Sequence, residues 1–176
     1  RVKGTEIAEK LTMSSIGRFW QVLFKGYGEL QLGSHLYQLG EMIIIRLIYL
    51  YDGPSPEELI QHACVAQKRA KAQFSNYQVG AALHIQNDIV ILGCNIESKA
   101  YPTTLCAERV AIFSALAQGY EIFNALALVT QDGAYPCGSC RQIIHEYAGN
   151  IPLYISNGTN EYVTRTISDL LPYPFG

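Results

Sequence analysis

Two periodicities of apolar side chains divide the chain. Residues 16–32 and 36–51 repeat apolar positions at helical spacing, and this pattern predicts a pair of helices joined by a short turn. Residues 52–56 combine Gly and Pro, which indicates a linker. We therefore expect a helical N-terminal extension over residues 1–52 and a separate domain over residues 53–176.

The second domain alternates strand and helix patterns. Ser55, followed by two glutamates, predicts the start of a helix that runs to about Ala72. Runs rich in β-branched and apolar residues predict strands at positions 77–85, 89–96, 125–130, 153–156 and 162–165. Helical patterns follow Cys106 and Cys140. This order predicts an α/β fold with parallel crossovers, in which ligands collect at strand ends against helix N-termini.

Three cysteines and a glutamate have the spacing of a catalytic metal site. Cys137 and Cys140 can grip one tetrahedral ion from a single turn, and Cys106 supplies a third ligand from a distant segment. Zinc with three protein ligands keeps one position for water, whose pKa it lowers to about 7. The Cys137–Cys140 pair alone would equally suit a structural zinc or buried thiols. Glu108, two positions after Cys106, favours the catalytic interpretation and is predicted to carry protons.

The cysteines are predicted to lie at the N-terminal ends of two helices. The partial positive charge of a helix N-terminus lowers the pKa of a thiol and offsets the charge of three thiolates. Arg109 and Arg141, each next to a ligand, are candidates to compensate this charge further. Cys64 and Cys94 have no partner at metal spacing and are predicted to be small buried hydrophobic residues.

Charge and cysteine content exclude several classes of protein. The 176 residues carry 13 Lys and Arg against 15 Asp and Glu, a net charge of −2, without a basic run, which argues against nucleic acid as the main substrate. The most apolar run, residues 42–51, is about half a membrane span and contains Arg46, so it predicts a buried helix. Five cysteines without a signal-peptide pattern indicate a reducing compartment, the cytoplasm.

These motifs together resemble the zinc-dependent cytidine deaminases over about residues 55–176. Five blocks carry the resemblance in the same order, at positions 74–83, 93–97, 100–109, 136–142 and 170–176. The resemblance implies a three-layer α/β/α sandwich with a five-stranded mixed sheet, a homotetramer and one zinc ion per subunit. It also implies hydrolysis of cytidine and deoxycytidine to uridine and deoxyuridine, with release of ammonia, in pyrimidine salvage.

The resemblance also implies contacts with the nucleoside. Asn95 and Glu97 alternate along a strand, so both point to one face, and by resemblance they hold the ribose hydroxyls. Tyr77 is expected against the base, where the family commonly has Phe, and Ser98 stands where the family usually has Asn.

Four further residues are assigned by the same resemblance. Ala107 and Pro136 are candidates to contact the base through their backbone groups. Tyr101 and Phe175 are expected to reach into the site of a neighbouring subunit, whereas ordinary packing is the alternative for both aromatic side chains.

Residues 1–52 resemble, less specifically, the last helices of the collar domain in the gamma/tau subunit of the bacterial clamp loader. Because only a fragment of that domain matches, we expect these helices to pack on the deaminase or on a sister subunit. Two other functions stay open from the sequence. One is deamination of another amino-heterocycle nucleoside, such as a nucleoside antibiotic or a purine. The other is an inactive, zinc-stabilised interaction module, which the intact Glu108 argues against.

Overall fold

The computed structural model describes residues 13–33, 35–48, 53–159 and 161–176. The chain divides into two compact units, Arg1–Asp52 and Gly53–Gly176. Among the described residues, no helix combines the length and the apolar character that a bilayer crossing requires.

The first unit contains a helical hairpin of α1 (Met13–Leu32) and α2 (Leu36–Ile48), as predicted. Gly26 allows the two helices to approach, because a side chain there would collide with the buried Ile43. Several large apolar side chains of this unit remain exposed, including Trp20 and Phe24. The end of the second predicted helix, residues 49–51, lies outside the described residues.

The second unit alternates strands and helices. Its helices are α3 (Pro56–Gln67), α4 (Ala107–Ala117), α5 (Gly138–Ile143), which continues as a π-helical turn (Ile144–Ala148), and α6 (Ile167–Leu170). Its strands are β1 (Gly80–Ile85), β2 (Val90–Cys94), β3 (Phe123–Val129), β4 (Leu153–Ser156) and β5 (Tyr162–Arg165). Short 3-10 turns lie at Gln86–Asp88, between the antiparallel strands β1 and β2, and at Tyr101–Thr103.

The strands form one mixed sheet in the order β2-β1-β3-β4-β5. Strands β3 and β4 are parallel, and the other neighbouring pairs in this sheet are antiparallel. The parallel pair requires a crossover, which α5 supplies. The predicted five-stranded mixed sheet is therefore confirmed.

Helices cover both faces of the sheet. Leu59 and Ala63 of α3 pack on Ala82 and its neighbours on one face. Residues of α4, the π-helical turn and α6 pack on the opposite face, around Leu83 and Leu126. Since both faces are covered, every residue of β1 is buried. The result is the three-layer α/β/α sandwich that the family resemblance implied.

A glycine in β2 brings α4 close to the sheet. A β-carbon at Gly93 would lie 2.2 Å from the carbonyl oxygen of Ala107 and 2.6 Å from the amide nitrogen of Ala111. Only a residue without a side chain fits at this crossing. The first turn of α4 is thereby held against the sheet.

The helix that was predicted to reach Ala72 ends at Gln67. Beyond it, the amide of Lys71 donates to the carbonyl of Asn95, and its carbonyl accepts from the amide of Glu97, both at 2.9 Å. This backbone pairing with a distant segment outweighs the local helical preference of residues 68–72. The start of the helix is as predicted, with Ser55 as its N-cap.

Candidate active site

The three predicted metal ligands converge in the structure. Cys106 and Cys137 immediately precede the first residues of α4 and α5, and Cys140 lies in the first turn of α5. The three sulfur atoms lie within 4.8 Å of one another, and the Sγ atoms of Cys106 and Cys137 are 3.9 Å apart. Tetrahedral zinc, with Zn–S bonds of about 2.3 Å, requires sulfur separations of about 3.8 Å. The cluster therefore fits a zinc ion.

The charge balance of the thiols also favours a cation. A hydrogen bond from Cys140, together with the guanidinium of Arg109, lowers the pKa of the Cys106 thiol to about 5. The same hydrogen bond and burial raise the pKa of Cys140. A negative charge on one of these thiols thus makes it harder to ionise its neighbour. A divalent cation bound between the sulfur atoms would offset this repulsion and favour the thiolate form of all three cysteines.

Glu108 lies in the first turn of α4 and is only 3% exposed. Burial raises the pKa of its carboxyl to about 7, and negative charge on Cys106 contributes to the rise. A carboxyl group that titrates near neutral pH can both accept and donate a proton during turnover. This environment suits the predicted proton carrier.

The two arginines next to the ligands differ in their contacts. Nη2 of Arg109 lies 3.6 Å from Sγ of Cys106 and donates to the carbonyl of Thr104 at 3.2 Å, which places positive charge beside a thiol. Arg141 instead donates from Nε to the carbonyl of Pro136 at 2.7 Å and from Nη1 to that of Leu170 at 2.9 Å. Arg141 therefore holds the segment before Cys137, and of these two arginines Arg109 is the one in contact with a clustered thiol.

One cavity of about 400 Å³ collects six of the predicted site residues. Its wall includes Cys106, Cys137 and Glu108, and also Tyr77, Asn95 and Glu97. Two larger hollows, each of about 590 Å³, contain none of the three clustered thiols. The cavity with the thiols is the candidate active site because it joins a reactive group to polar side chains.

Asn95 and Glu97 hold residues 74–79 by hydrogen bonds, and this segment forms another part of the cavity wall. The side chain of Asn95 makes two hydrogen bonds. Its Nδ2 donates to the carbonyl of Tyr77 at 2.8 Å, and its Oδ1 accepts from the backbone amide of Val79 at 2.9 Å. The carboxylate of Glu97 accepts from the amide of Phe74 at 2.7 Å and from the hydroxyl and amide of Ser75. These bonds lower the pKa of Glu97. Binding of ribose by Asn95 and Glu97 stays a prediction.

The other predicted contacts lie at the edge of the cavity or outside it. Ala107 and Pro136 are buried next to Cys106 and Cys137, and neither forms part of the cavity wall, so a contact with a base would use their backbone groups. Ser98 holds the following loop, since its hydroxyl accepts from the amide of Ala100 at 3.2 Å.

Tyr101 and Phe175 lie at the surface, with 72% and 87% of their areas exposed. Neither lines the cavity of its own chain. The ring of Tyr101 meets that of Phe74 edge to face, with 6.0 Å between centroids. Their predicted position in a neighbouring subunit stays a prediction.

Sequence reasoning missed three residues around the site. Ser75 bonds to Glu97, Asp132 accepts from the hydroxyl of Tyr77, and Gln142 pairs with the backbone of Phe175. The partners are 22, 55 and 33 positions apart, so no short motif could have indicated these contacts.

The sequence and the fold are both similar to those of known proteins. Residues 54–154 match the family model of the cytidine and deoxycytidylate deaminase zinc-binding region. A cytidine deaminase of Sporosarcina psychrophila is 41% identical over 122 residues, which cover 68% of this chain and 90% of that protein. The crystal structure of a cytidine deaminase from Burkholderia pseudomallei is similar with a TM-score of 0.64 and 39% identity, covering 66% of this chain and 96% of that one.

Two further matches concern the alternative substrate and the N-terminal segment. A blasticidin-S deaminase of Bacillus cereus is 30% identical over 112 residues, which cover 57% of this chain and 79% of that protein. Residues 1–63 match the family model of DNA polymerase III subunits gamma and tau domain III. The weaker resemblance of the N-terminal segment is thereby confirmed.

The layered fold and the three-thiol cluster define the class as a zinc-binding deaminase. The chain belongs to the cytidine and deoxycytidylate deaminase family. The predicted family, the fold class and zinc as the cofactor are confirmed by these matches and by the cysteine cluster.

Proposed function

We propose that this chain catalyses the zinc-dependent hydrolytic deamination of cytidine and deoxycytidine to uridine and deoxyuridine, with release of ammonia, in pyrimidine salvage. The observation that carries the proposal is the position of Glu108, a buried carboxyl with a pKa of about 7 in the same cavity as two clustered thiols. A cavity of about 400 Å³ suits a small molecule. A net charge of −2 favours an uncharged nucleoside over nucleic acid.

Cys106, Cys137 and Cys140 would hold one zinc ion per subunit. When bound, zinc supplies a water of lowered pKa to the site. The guanidinium of Arg109 and the helix N-termini stabilise the negative charge of the thiolates.

Glu108 moves the protons of the reaction. Its carboxylate takes a proton from the attacking water and delivers it to the ring nitrogen next to the carbon that bears the amine. Glu108 then takes the second proton from the hydroxyl that has been added to this carbon and delivers it to the amine as the C–N bond breaks and the carbonyl forms, so that one water is consumed and one ammonia is released. Burial favours the protonated form of this carboxyl, so Glu108 can hold the proton between the two transfers.

The remaining residues position the nucleoside. Asn95 and Glu97 bind the sugar hydroxyls, of which the 3′-hydroxyl is present in both cytidine and deoxycytidine, and a sugar that lacks this hydroxyl is rejected because a polar group of the site would be left unpaired. Tyr77 packs against the base, and the backbone groups of Ala107 and Pro136 hold its edge. The presence of Tyr77, Asn95 and Glu97 on one cavity wall supports these roles.

The enzyme is further proposed to act as a homotetramer in the cytoplasm. Exposed aromatic rings such as those of Tyr101 and Phe175 mark surfaces suited to a protein partner, and free thiols suit a reducing compartment. Residues 1–52 form a helical extension and residues 53–176 the deaminase domain. Light scattering should give four times the chain mass of 19.5 kDa, and a monomer would contradict the assembly.

Another amino-heterocycle nucleoside is the second candidate substrate. The similarity to a blasticidin-S deaminase favours a nucleoside antibiotic as this alternative. An inactive interaction module is disfavoured by the buried, proton-competent Glu108.

One assay separates these functions. The absorbance of cytidine, deoxycytidine and blasticidin S would be followed with and without a chelator of zinc. Chelator-sensitive loss of the two cytosine nucleosides supports the proposal. Turnover of blasticidin S alone would favour the second candidate, and absence of turnover in zinc-loaded protein would favour the interaction module.

A further inference from the structure

The hydroxyl group of Tyr77 is held by the protein. Tyr77 lines the cavity, and its hydroxyl donates to Oδ1 of Asp132 at 2.5 Å. A Phe ring at this position would offer the same apolar face, so the hydroxyl adds a connection to Asp132 that Phe cannot make.

Asp132 extends this connection into the loop between β3 and α5. The same Oδ1 atom accepts from the hydroxyl of Thr130 at 3.1 Å, and the Thr130 hydroxyl accepts from the amide of Ala134 at 2.7 Å. Thr130 is only 2% exposed, so its hydroxyl is shielded from water, whereas Asp132 lies at the surface. The loop continues directly to the ligand Cys137, and the carboxylate thus joins the ring of Tyr77 to the segment that carries a metal ligand.

The backbone of Tyr77 is fastened at the opposite end. Its carbonyl accepts from the side-chain amide of Asn95 at 2.8 Å, and its amide donates to the hydroxyl of Ser75 at 3.0 Å. Tyr77 therefore spans the cavity wall between Asn95 and the loop before Cys137.

We propose that Asp132 is a positioning residue, which acts through the hydroxyl of Tyr77 to fix its ring against the base and to hold the nucleoside wall beside the Cys137 loop. This inference rests on the proposed function. Because a ring that is fixed before binding loses little freedom when substrate enters, the loss of Asp132 raises KM more than it lowers kcat. The bond from Tyr77 lowers the pKa of Asp132, which stays ionised at neutral pH.

The test compares Asp132→Ala, Tyr77→Phe and the double variant in zinc-loaded full-length protein. Each single variant should raise KM for cytidine roughly three- to tenfold, with kcat and zinc content little changed. The double variant should be no worse than the larger single effect, because both changes remove one interaction. Asp132→Asn should give an intermediate KM, because its amide oxygen still accepts from the hydroxyl.

Asp169→Ala is the matched control. Asp169 is also a hydrogen-bonded aspartate, since it accepts from the hydroxyl of Thr166 at 2.9 Å, and it does not line the cavity. Its replacement should leave KM unchanged. An unchanged KM in Asp132→Ala, or effects of Tyr77→Phe and Asp132→Ala that multiply in the double variant, would overturn the inference.

Hydrogen exchange separates this inference from the proposed function. Peptides that cover residues 130–136 should exchange several times faster in Asp132→Ala and in Tyr77→Phe, because both changes loosen the loop. Equal exchange in all variants would overturn the inference. Faster exchange in a protein that does not turn over cytidine would overturn the proposed function and keep the connection between Tyr77 and the loop.

Discussion

The side chain of Gln142 pairs with both backbone groups of Phe175. Its Nε2 donates to the carbonyl of Phe175 at 2.8 Å, and its Oε1 accepts from the amide of Phe175 at 3.0 Å. Gln142 lies two positions after Cys140 of the thiol cluster, whereas the ring of Phe175 remains 87% exposed. The C-terminal segment is thus fixed to α5, the helix that contains Cys140, and the ring of Phe175 lies at the surface.

Replacing Gln142 by Ala should release the C-terminal segment. We expect faster removal of the last residues by carboxypeptidase and a fall in kcat/KM of roughly threefold or more, because the proposed contact of Phe175 with a neighbouring site needs a fixed tail. Gln118→Ala is the control, since the side-chain amide of Gln118, the residue that follows α4, donates to the carbonyl of Ser114 in that helix. A released tail with unchanged kcat/KM would contradict the role of Phe175.

Replacing Glu108 by Gln should abolish turnover without loss of metal. The amide cannot accept and return a proton, so kcat should fall roughly 10²- to 10⁴-fold. Elemental analysis should still find one zinc per chain, because Glu108 is not a ligand in the proposed site. Glu121→Gln, at an exposed position, should retain activity. Appreciable turnover by a zinc-loaded Glu108→Gln enzyme would refute the proton-transfer role.

Removing one thiol should remove the metal. Cys137→Ser is expected to bind much less than one zinc per chain and to lose activity, because zinc with two thiolates is held far more weakly. Cys64→Ser changes a half-buried cysteine outside the cluster and should retain zinc. Full metal content in Cys137→Ser would disprove the assignment of this ligand.

A side chain at Gly93 should destabilise the deaminase unit. The β-carbon of Gly93→Ala would approach backbone atoms of α4 to 2.2 and 2.6 Å, and we expect a loss of about 1–3 kcal/mol in the free energy of unfolding. Gly40→Ala is the control, since a β-carbon there meets no atom within 4 Å. Urea unfolding would measure both, and an unchanged midpoint for Gly93→Ala would contradict the close packing.

The sequence predicted the metal cluster because its chemistry is local. Cys137 and Cys140 share one helical turn, and Cys106 and Glu108 flank the start of another, so spacing alone indicated a site. The order of strands and helices likewise predicted the layered fold, whose elements depend on short-range periodicity.

Contacts between distant segments could not be predicted in this way. The bond between Tyr77 and Asp132 joins positions 55 apart, and the side chains of Asn95 and Glu97 bond to residues of an earlier segment. The early end of α3 at Gln67 has the same cause, because Lys71 pairs with the backbone of Asn95 and Glu97. Such pairings depend on how the sheet assembles and leave no periodic signal in the sequence.

The clustered thiols Cys106 and Cys137 are 31 positions apart, and all of β3 lies between them. A divalent ion on these thiolates would act as a reversible cross-link that closes a long loop, in the manner of a disulfide that requires no oxidant. The central strand β3 would then lie inside the loop that the coordination bonds close. Metal supply would therefore govern how long the folded enzyme persists as well as whether it turns over.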